Sequence, residues 1–155
     1  MDELLELTQK AEQIARMAIG SQLDKAGKLL LSHSERVAAY SQPGLPRIVA
    51  WLHDVIEDSG WTIADLQAEG FPEEVCQAVN AITHPPGEPN LQYYTRIKAN
   101  PLALEVKAAD LKDNTNPERR ALLANPAEAA RLDQKYRQAC AVLEIPWPWP
   151  ELGIE

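Results

Sequence analysis

Apolar residues recur three and four positions apart along most of the chain, and the polar residues between them break that rhythm at regular intervals. Leu4, Leu7, Ala11, Ile14 and Ala18 form a stripe that predicts an amphipathic helix ending near Gly20. A second segment follows "DKAGK". A third runs from Pro46 through "AWLHDVIEDSG", with Ile48, Val49, Leu52, Val55 and Ile56 supplying a broad apolar face. Thr62, with Asp65 three residues on, signals the capped start of a short helix. Pro72 at a first helical position opens another, which carries Val75, Val79 and Ile82 and is stopped by "HPPG". "LQYYTRIKANP" reads as one more, and Leu102 to Asn114 places Leu104, Ala108 and Leu111 on one stripe. Asn125, Pro126 and Glu128 start a helix bearing Leu132, Tyr136, Ala139 and Leu143, which Pro146 ends. No segment alternates with period two and no hairpin dipeptide occurs, so the expected fold is all-α. The tail "PWPWPELGIE" cannot be helical, and its tryptophans are expected to pack back on the domain.

At 155 residues the chain suits one domain with a real core and is short for two, so a single domain over 1–155 is expected. The net charge of −8 argues against nonspecific binding to nucleic acid or an anionic membrane, which needs clustered Lys and Arg. An acidic, periodic N-terminus has neither a signal peptide nor a transmembrane pattern, and predicts a cytoplasmic protein. Oligomeric state is left open. Cys76 and Cys140, each among apolar neighbours, are expected to be buried free thiols.

Chemistry enters at "HDVIEDSG". Read as the end of one helix, it places Asp54, Glu57 and Asp58 in the last two turns, where the helix dipole disfavours acids by roughly 0.3–1 kcal/mol each. Side chains four apart nearly eclipse, so His53 stacks with Glu57 and Asp54 with the like-charged Asp58. Asp110 and Asn114 repeat that spacing after an apolar stretch, and His33 follows "LLLS". Two imidazoles and two carboxylates from three helices make a mixed nitrogen and oxygen set suited to Mn²⁺, Fe²⁺ or Co²⁺ with positions left for water and substrate. Such a cation reverses the sign of the dipole and like-charge penalties.

The set His33, His53-Asp54 and Asp110 resembles the HD-domain metal-dependent phosphohydrolases. More narrowly, "HDVIED" is similar to the HDxxED motif of the alarmone hydrolase half of Rel/Spo proteins, and "VKAADLKDN" to their "VKLADRLxN" segment. The resemblance implies an all-helical HD bundle with a metal site in a central cleft, removing the 3′-pyrophosphate from guanosine tetra- or pentaphosphate, usually with one Mn²⁺. On it, His33, His53, Asp54 and Asp110 hold the metal, Glu57 and Asp58 orient and activate water, Asn114 supports the nucleotide, and Lys25 lies in the base-facing basic segment.

Lys107, Lys112, Arg96 and Lys98 flank the site in sequence and are candidates to offset substrate charge, Lys107 first among them. Arg131, Lys135 and Tyr136 are candidates to reach a phosphate from the last helix, whereas His84, before Pro85, is expected to cap a helix or face solvent. Where relatives often have "GxPYxxHP", this chain has "GKLLLSHS"; Leu29, Leu30 and Ser34 depart on the base-facing wall and leave the base open. The length also leaves no room for a synthetase domain, so hydrolysis alone is expected. Two rivals stand beside this reading. One is another HD phosphohydrolase, acting on an adenosine alarmone, a nucleotide monophosphate or NADPH; the other is a non-catalytic nucleotide sensor.

Overall fold

A computed structural model describes residues 2–24 and 26–149. Those residues build ten helical segments: α1 (Glu3–Ile19), α2 (Leu30–Tyr40), α3 (Leu45–Leu52), α4 (Val55–Asp58), α5 (Ile63–Ala68), α6 (Glu73–Ile82), α7 (Asn90–Lys98), α8 (Pro101–Asn114), α9 (Pro117–Arg120) and α10 (Pro126–Leu143). No strand occurs among them; a single antiparallel bridge joins Leu23 and Leu29. The all-α expectation holds.

Side-chain caps from Asp, Thr or Asn start α1, α5, α8, α9 and α10, whereas α2, α3, α4, α6 and α7 begin without one. Asp2 Oδ1 accepts from the Leu4 amide, Asn100 Oδ1 from Ala103, and Asn125 Oδ1 from Ala127 and Glu128. Thr62 and Asp65 form a reciprocal capping box. Pro72 sits one position earlier than expected, at the cap of α6 rather than inside it. Helix α9 has no counterpart in the apolar pattern: Asn116 caps it and Pro117 begins it, but none of its four residues is buried.

At the centre lies α3, whose Ile48, Val49, Ala50, Trp51 and Leu52 are all buried. It packs against α1, α2, α6 and α8. Such an all-round apolar segment belongs inside a bundle, and each of its large aliphatic side chains contributes about 1.5–3 kcal/mol by leaving water. A second cluster joins Tyr93 and Ile97 of α7, Leu111 of α8 and Ala139, Cys140 and Leu143 of α10, with Trp147 against it. Helix α8 therefore serves both clusters. Its buried residues, Ala103, Val106, Ala109, Asp110, Leu111 and Asp113, are not confined to the expected stripe, and Leu104 and Ala108 are only half-buried. The tail packs back as expected as far as it is described: Trp149 donates its indole N–H to the Lys112 carbonyl at 2.7 Å. Cys76 and Cys140 are free and buried.

One correction bears directly on the site. The run from Pro46 to Gly60 is not one helix. It breaks at His53 and Asp54, where Asp54 takes φ −103° and ψ −4°, and α4 restarts with Asp54 at its cap. Asp54 thus enters a new turn instead of ending a long one, so the predicted dipole penalty falls away for that residue. The bend also brings the adjacent His53 and Asp54 side chains together, while Asp58 stays one helical turn from Asp54, its amide donating to the Asp54 carbonyl at 3.0 Å.

Candidate metal centre and its cleft

His33 comes from the first turns of α2, His53 from the end of α3, Asp54 from the break and Asp110 from the third turn of α8. The packing of α2 and α8 against α3 brings them to one point. His33 Nε2 lies 3.3 Å from His53 Nε2 and 2.9 Å from Asp110 Oδ1; His53 Nε2 lies 3.2 Å from Asp54 Oδ2 and 3.4 Å from Asp110 Oδ1. Asp54 Oδ2 and His33 Nε2 are 3.7 Å apart. Ligand atoms bonded to one cation at about 2.1 Å stand about 3.0–3.5 Å from each other, so these spacings fit a shared ion. Among the described residues, His33, His53 and Asp54 form a group whose ligand atoms all lie within 4.8 Å of one another; Asp110 reaches both imidazoles but is not part of that group.

The tautomers fit as well. His53 Nδ1 donates to the Ala50 carbonyl at 2.6 Å, and His33 Nδ1 to Asp113 Oδ2 at 2.6 Å. Each ring thereby spends its N–H on the protein and turns the lone pair of Nε2 toward the carboxylates, the usual arrangement behind a metal-bound imidazole. Burial disfavours charge on both rings, yet Asp110 and Asp113 around His33 and Asp54 and Asp110 around His53 outweigh it and push both pKa values up. The point where the four residues meet attracts positive charge, whether a proton or a metal ion.

Asp110 is braced on both oxygens. Lys107 Nζ donates to Oδ2 at 2.9 Å and Asn114 Nδ2 to Oδ1 at 3.1 Å. Burial opposes its ionisation, but the Lys107 ammonium and the two imidazoles hold its carboxyl well below the usual range. Lys107 is itself half-buried, with 14% of its side chain exposed and its ammonium over the Tyr93 ring. Its charge is paired with the Asp110 carboxylate, and its side chain also lines the adjoining cleft.

A cleft of about 880 Å³ opens from this point. Glu57 and Asp58 of α4 line it together with Asn114, Lys135 and Tyr136. Glu57 Oε1 accepts from the His84 amide. Burial and the nearby Asp54 charge push the Asp58 carboxyl up to about 6. His84 does more than expected: it lines the cleft, stacks on Tyr93 at 4.2 Å and donates from Nε2 to the Glu88 carbonyl. Lys25 lies outside the described residues. Arg131 does not line the cleft; it pairs at 2.7 Å with Glu128, three residues earlier on α10. Arg96 is spent on Glu88 and the Ala81 and Thr83 carbonyls, Lys98 on Glu144, and Lys112 lies over Tyr40.

The sequence reading missed three residues around His33. Asp113, fully buried, accepts from His33, from Arg36 Nε at 2.6 Å and from Arg119 at 3.0 Å. Its spacing of three from Asp110 was a usable sign of a shared helix face. Arg36 lies three positions after His33, with the same sign available. Arg119 comes from α9, which no apolar period announces.

No protein-family model matches the chain. The chain is similar to a probable GTP pyrophosphokinase of Mycobacterium leprae (strain TN), 29% identical over 123 residues, which cover 71% of this chain. The chain spans only 16% of that relative's length. The similarity supports a distant Rel/Spo-related relationship. Among the described residues no helix is long and apolar enough to cross a membrane.

Proposed function

We propose that the protein is a divalent-metal-dependent phosphohydrolase of the HD type that removes the 3′-pyrophosphate from guanosine 3′,5′-bis(diphosphate)-type alarmones. The observation that carries this reading is the meeting of His33, His53, Asp54 and Asp110 at one point, beside the acids Glu57 and Asp58. The relative's name, a GTP pyrophosphokinase, adds guanine nucleotide and pyrophosphate as the chemical setting. That name describes transfer; a cation site flanked by proton-accepting carboxyls favours water as the nucleophile.

His33, His53, Asp54 and Asp110 would hold the ion, with Mn²⁺ the first choice and Fe²⁺ or Co²⁺ compatible with the same donors. When bound, such an ion neutralises phosphate oxygens and lowers the pKa of water. Asp58, with its carboxyl near neutrality, accepts the proton of the attacking water. Glu57, fixed by the His84 amide, bears on the same region of the cleft. Water adds to the phosphorus attached to the 3′-oxygen; that bond breaks, and GDP and pyrophosphate leave. Lys135 and Tyr136, which also line the cleft, would meet the nucleotide.

The experiment is product analysis of guanosine tetraphosphate with Mn²⁺, after chelation, and after Mn²⁺ is restored. GDP and pyrophosphate in equal amounts, lost and regained with the ion, are expected. Leu29 and Leu30 in the cleft wall favour one second reading, another nucleotide phosphohydrolase, because they offer a base edge no polar atom. Orthophosphate from nucleotide monophosphates or NADPH, with guanosine tetraphosphate intact, would select it. Binding without turnover at saturating Mn²⁺ would select a sensor.

A further inference from the structure

Arg119 stands between the candidate metal centre and the rim of the cleft, and its guanidinium is divided between them. On one side Nη1 donates to Asp113 Oδ2 at 3.0 Å, to the Asp113 carbonyl at 3.3 Å and to Asn114 Oδ1 at 3.0 Å, and it lies 3.5 Å from His33 Nδ1. On the other, Nη2 donates to Asp24 Oδ2 at 3.1 Å. Asp24 in turn organises the rim: its Oδ1 accepts from the amides of Ala26 and Lys28, both at 2.9 Å. The rim turn carries Lys28 and Leu29 into the cleft wall. One planar fork therefore joins the carboxylate behind a candidate metal ligand to the carboxylate that shapes the substrate-facing turn, a task a single ammonium cannot share between two anchors.

We propose that Arg119 is a positioning residue that couples the filling of the metal centre to the order of the rim turn held by Asp24. The coupling deepens the proposed function and rests on it for the identity of the ion. A cation on His33 Nε2 strengthens the Nδ1 bond to Asp113, which fixes the oxygen that Arg119 shares. Arg119 passes this order to Asp24 through its other arm. Because such coupling is reciprocal, a nucleotide that orders the rim also tightens the ion.

Amide exchange of the full chain, with and without Mn²⁺, tests it without turnover. In the wild type, Mn²⁺ should slow exchange at Ala26 and Lys28 by about fivefold or more. Arg119→Gln should still bind Mn²⁺ yet lose that slowing. Asp24→Asn should lose it with Mn²⁺ affinity lowered by no more than about fivefold, the reciprocal of the same coupling, whereas Asp113→Asn should weaken Mn²⁺ binding by about 10–100-fold. A purely structural Arg119 would shift Tm and leave the Mn²⁺-dependent slowing in place, and that result overturns the proposal. So does a wild type that binds Mn²⁺ without slowing either amide. If circular dichroism shows Arg119→Gln unfolded, Arg119→Lys and Asp24→Asn decide by the same readout. A wild type that slows these amides on Mn²⁺ but leaves guanosine tetraphosphate intact rejects the reaction and retains the coupling.

Discussion

Glu57 and Asp58 are neighbours in α4 with different surroundings, and so with different capacities. The Glu57 carboxyl is raised overall by burial, with the His84 amide that it accepts from pulling it back; Asp58 is pushed up to about 6 by burial and by Asp54, against the opposing charges of His53 and His33. Asp58 is therefore the better proton acceptor near neutral pH. Asp58→Asn should lower kcat by roughly 10²–10⁴-fold while leaving Mn²⁺ affinity within a few-fold, read by steady-state kinetics beside calorimetric titration. A base works when ionised, so the wild-type rate should fall as pH drops through about 6, or lower once a cation depresses the carboxyl, and the Asn variant should lack that limb. Asp110→Ala acts differently, since it removes a candidate ligand and leaves the half-buried Lys107 ammonium without its carboxylate. We expect a stability loss of roughly 3–5 kcal/mol by urea unfolding and the disappearance of any Mn²⁺-dependent rise in Tm. These residues were readable beforehand because His-Asp, Glu-Asp and Asp-x-x-x-Asn are local spacings. Asp113 and Arg119 were not, because their role depends on a contact between α2, α8 and α9 that no single segment encodes.

Helix ends are where the chain positions its chemistry. His53 and Asp54 meet because α3 stops at Leu52; had the helix continued, adjacent side chains would point about 100° apart and never share an ion. Periodicity marked the apolar face across this break correctly, since Val55 is as buried as Leu52, but it could not register a local change in ψ that leaves the stripe intact. The same logic explains α9, none of whose four residues is fully buried or apolar at a helical period, so that no stripe marks it. Starts with Asn, Thr and Pro were plain in the sequence because the cap chemistry is local. Ile48, fully buried in α3 at the junction with α1, α2, α6 and α8, tests how firmly this frame is held. Ile48→Ala should cost roughly 2–5 kcal/mol in urea unfolding with an unchanged m-value. Asn125→Ala, which removes the cap of α10, should cost about 0.5–2 kcal/mol and leave kcat unaltered, because α10 supplies a wall of the cleft and none of the candidate ligands.

The protein as a whole is acidic, with a net charge of −8, yet it gathers His33, His53, Lys107, Arg36 and Arg119 around four buried or half-buried aspartates, Asp24, Asp54, Asp110 and Asp113. Folding is therefore linked to pH in two opposite ways. The carboxyls of Asp24, Asp110 and Asp113 are held below their ordinary values, so the stability they supply is present above about pH 4 and is lost as pH falls through their folded pKa values. His33 and His53 are raised above 6.5, so their contribution is complete below that pH and fades as pH climbs through the raised values. A metal ion needs those same imidazoles unprotonated, so its contribution grows over the range in which the protons' contribution is lost. At 100 times its Kd a ligand of the folded state adds about 2.7 kcal/mol. Chelated protein should thus lose Tm as pH rises above about 6.5, whereas Mn²⁺-loaded protein should hold it, and the gap between the two melting curves should widen toward alkaline pH. Parallel curves, or a gap that narrows, would show that the two imidazoles do not exchange protons for an ion at this point.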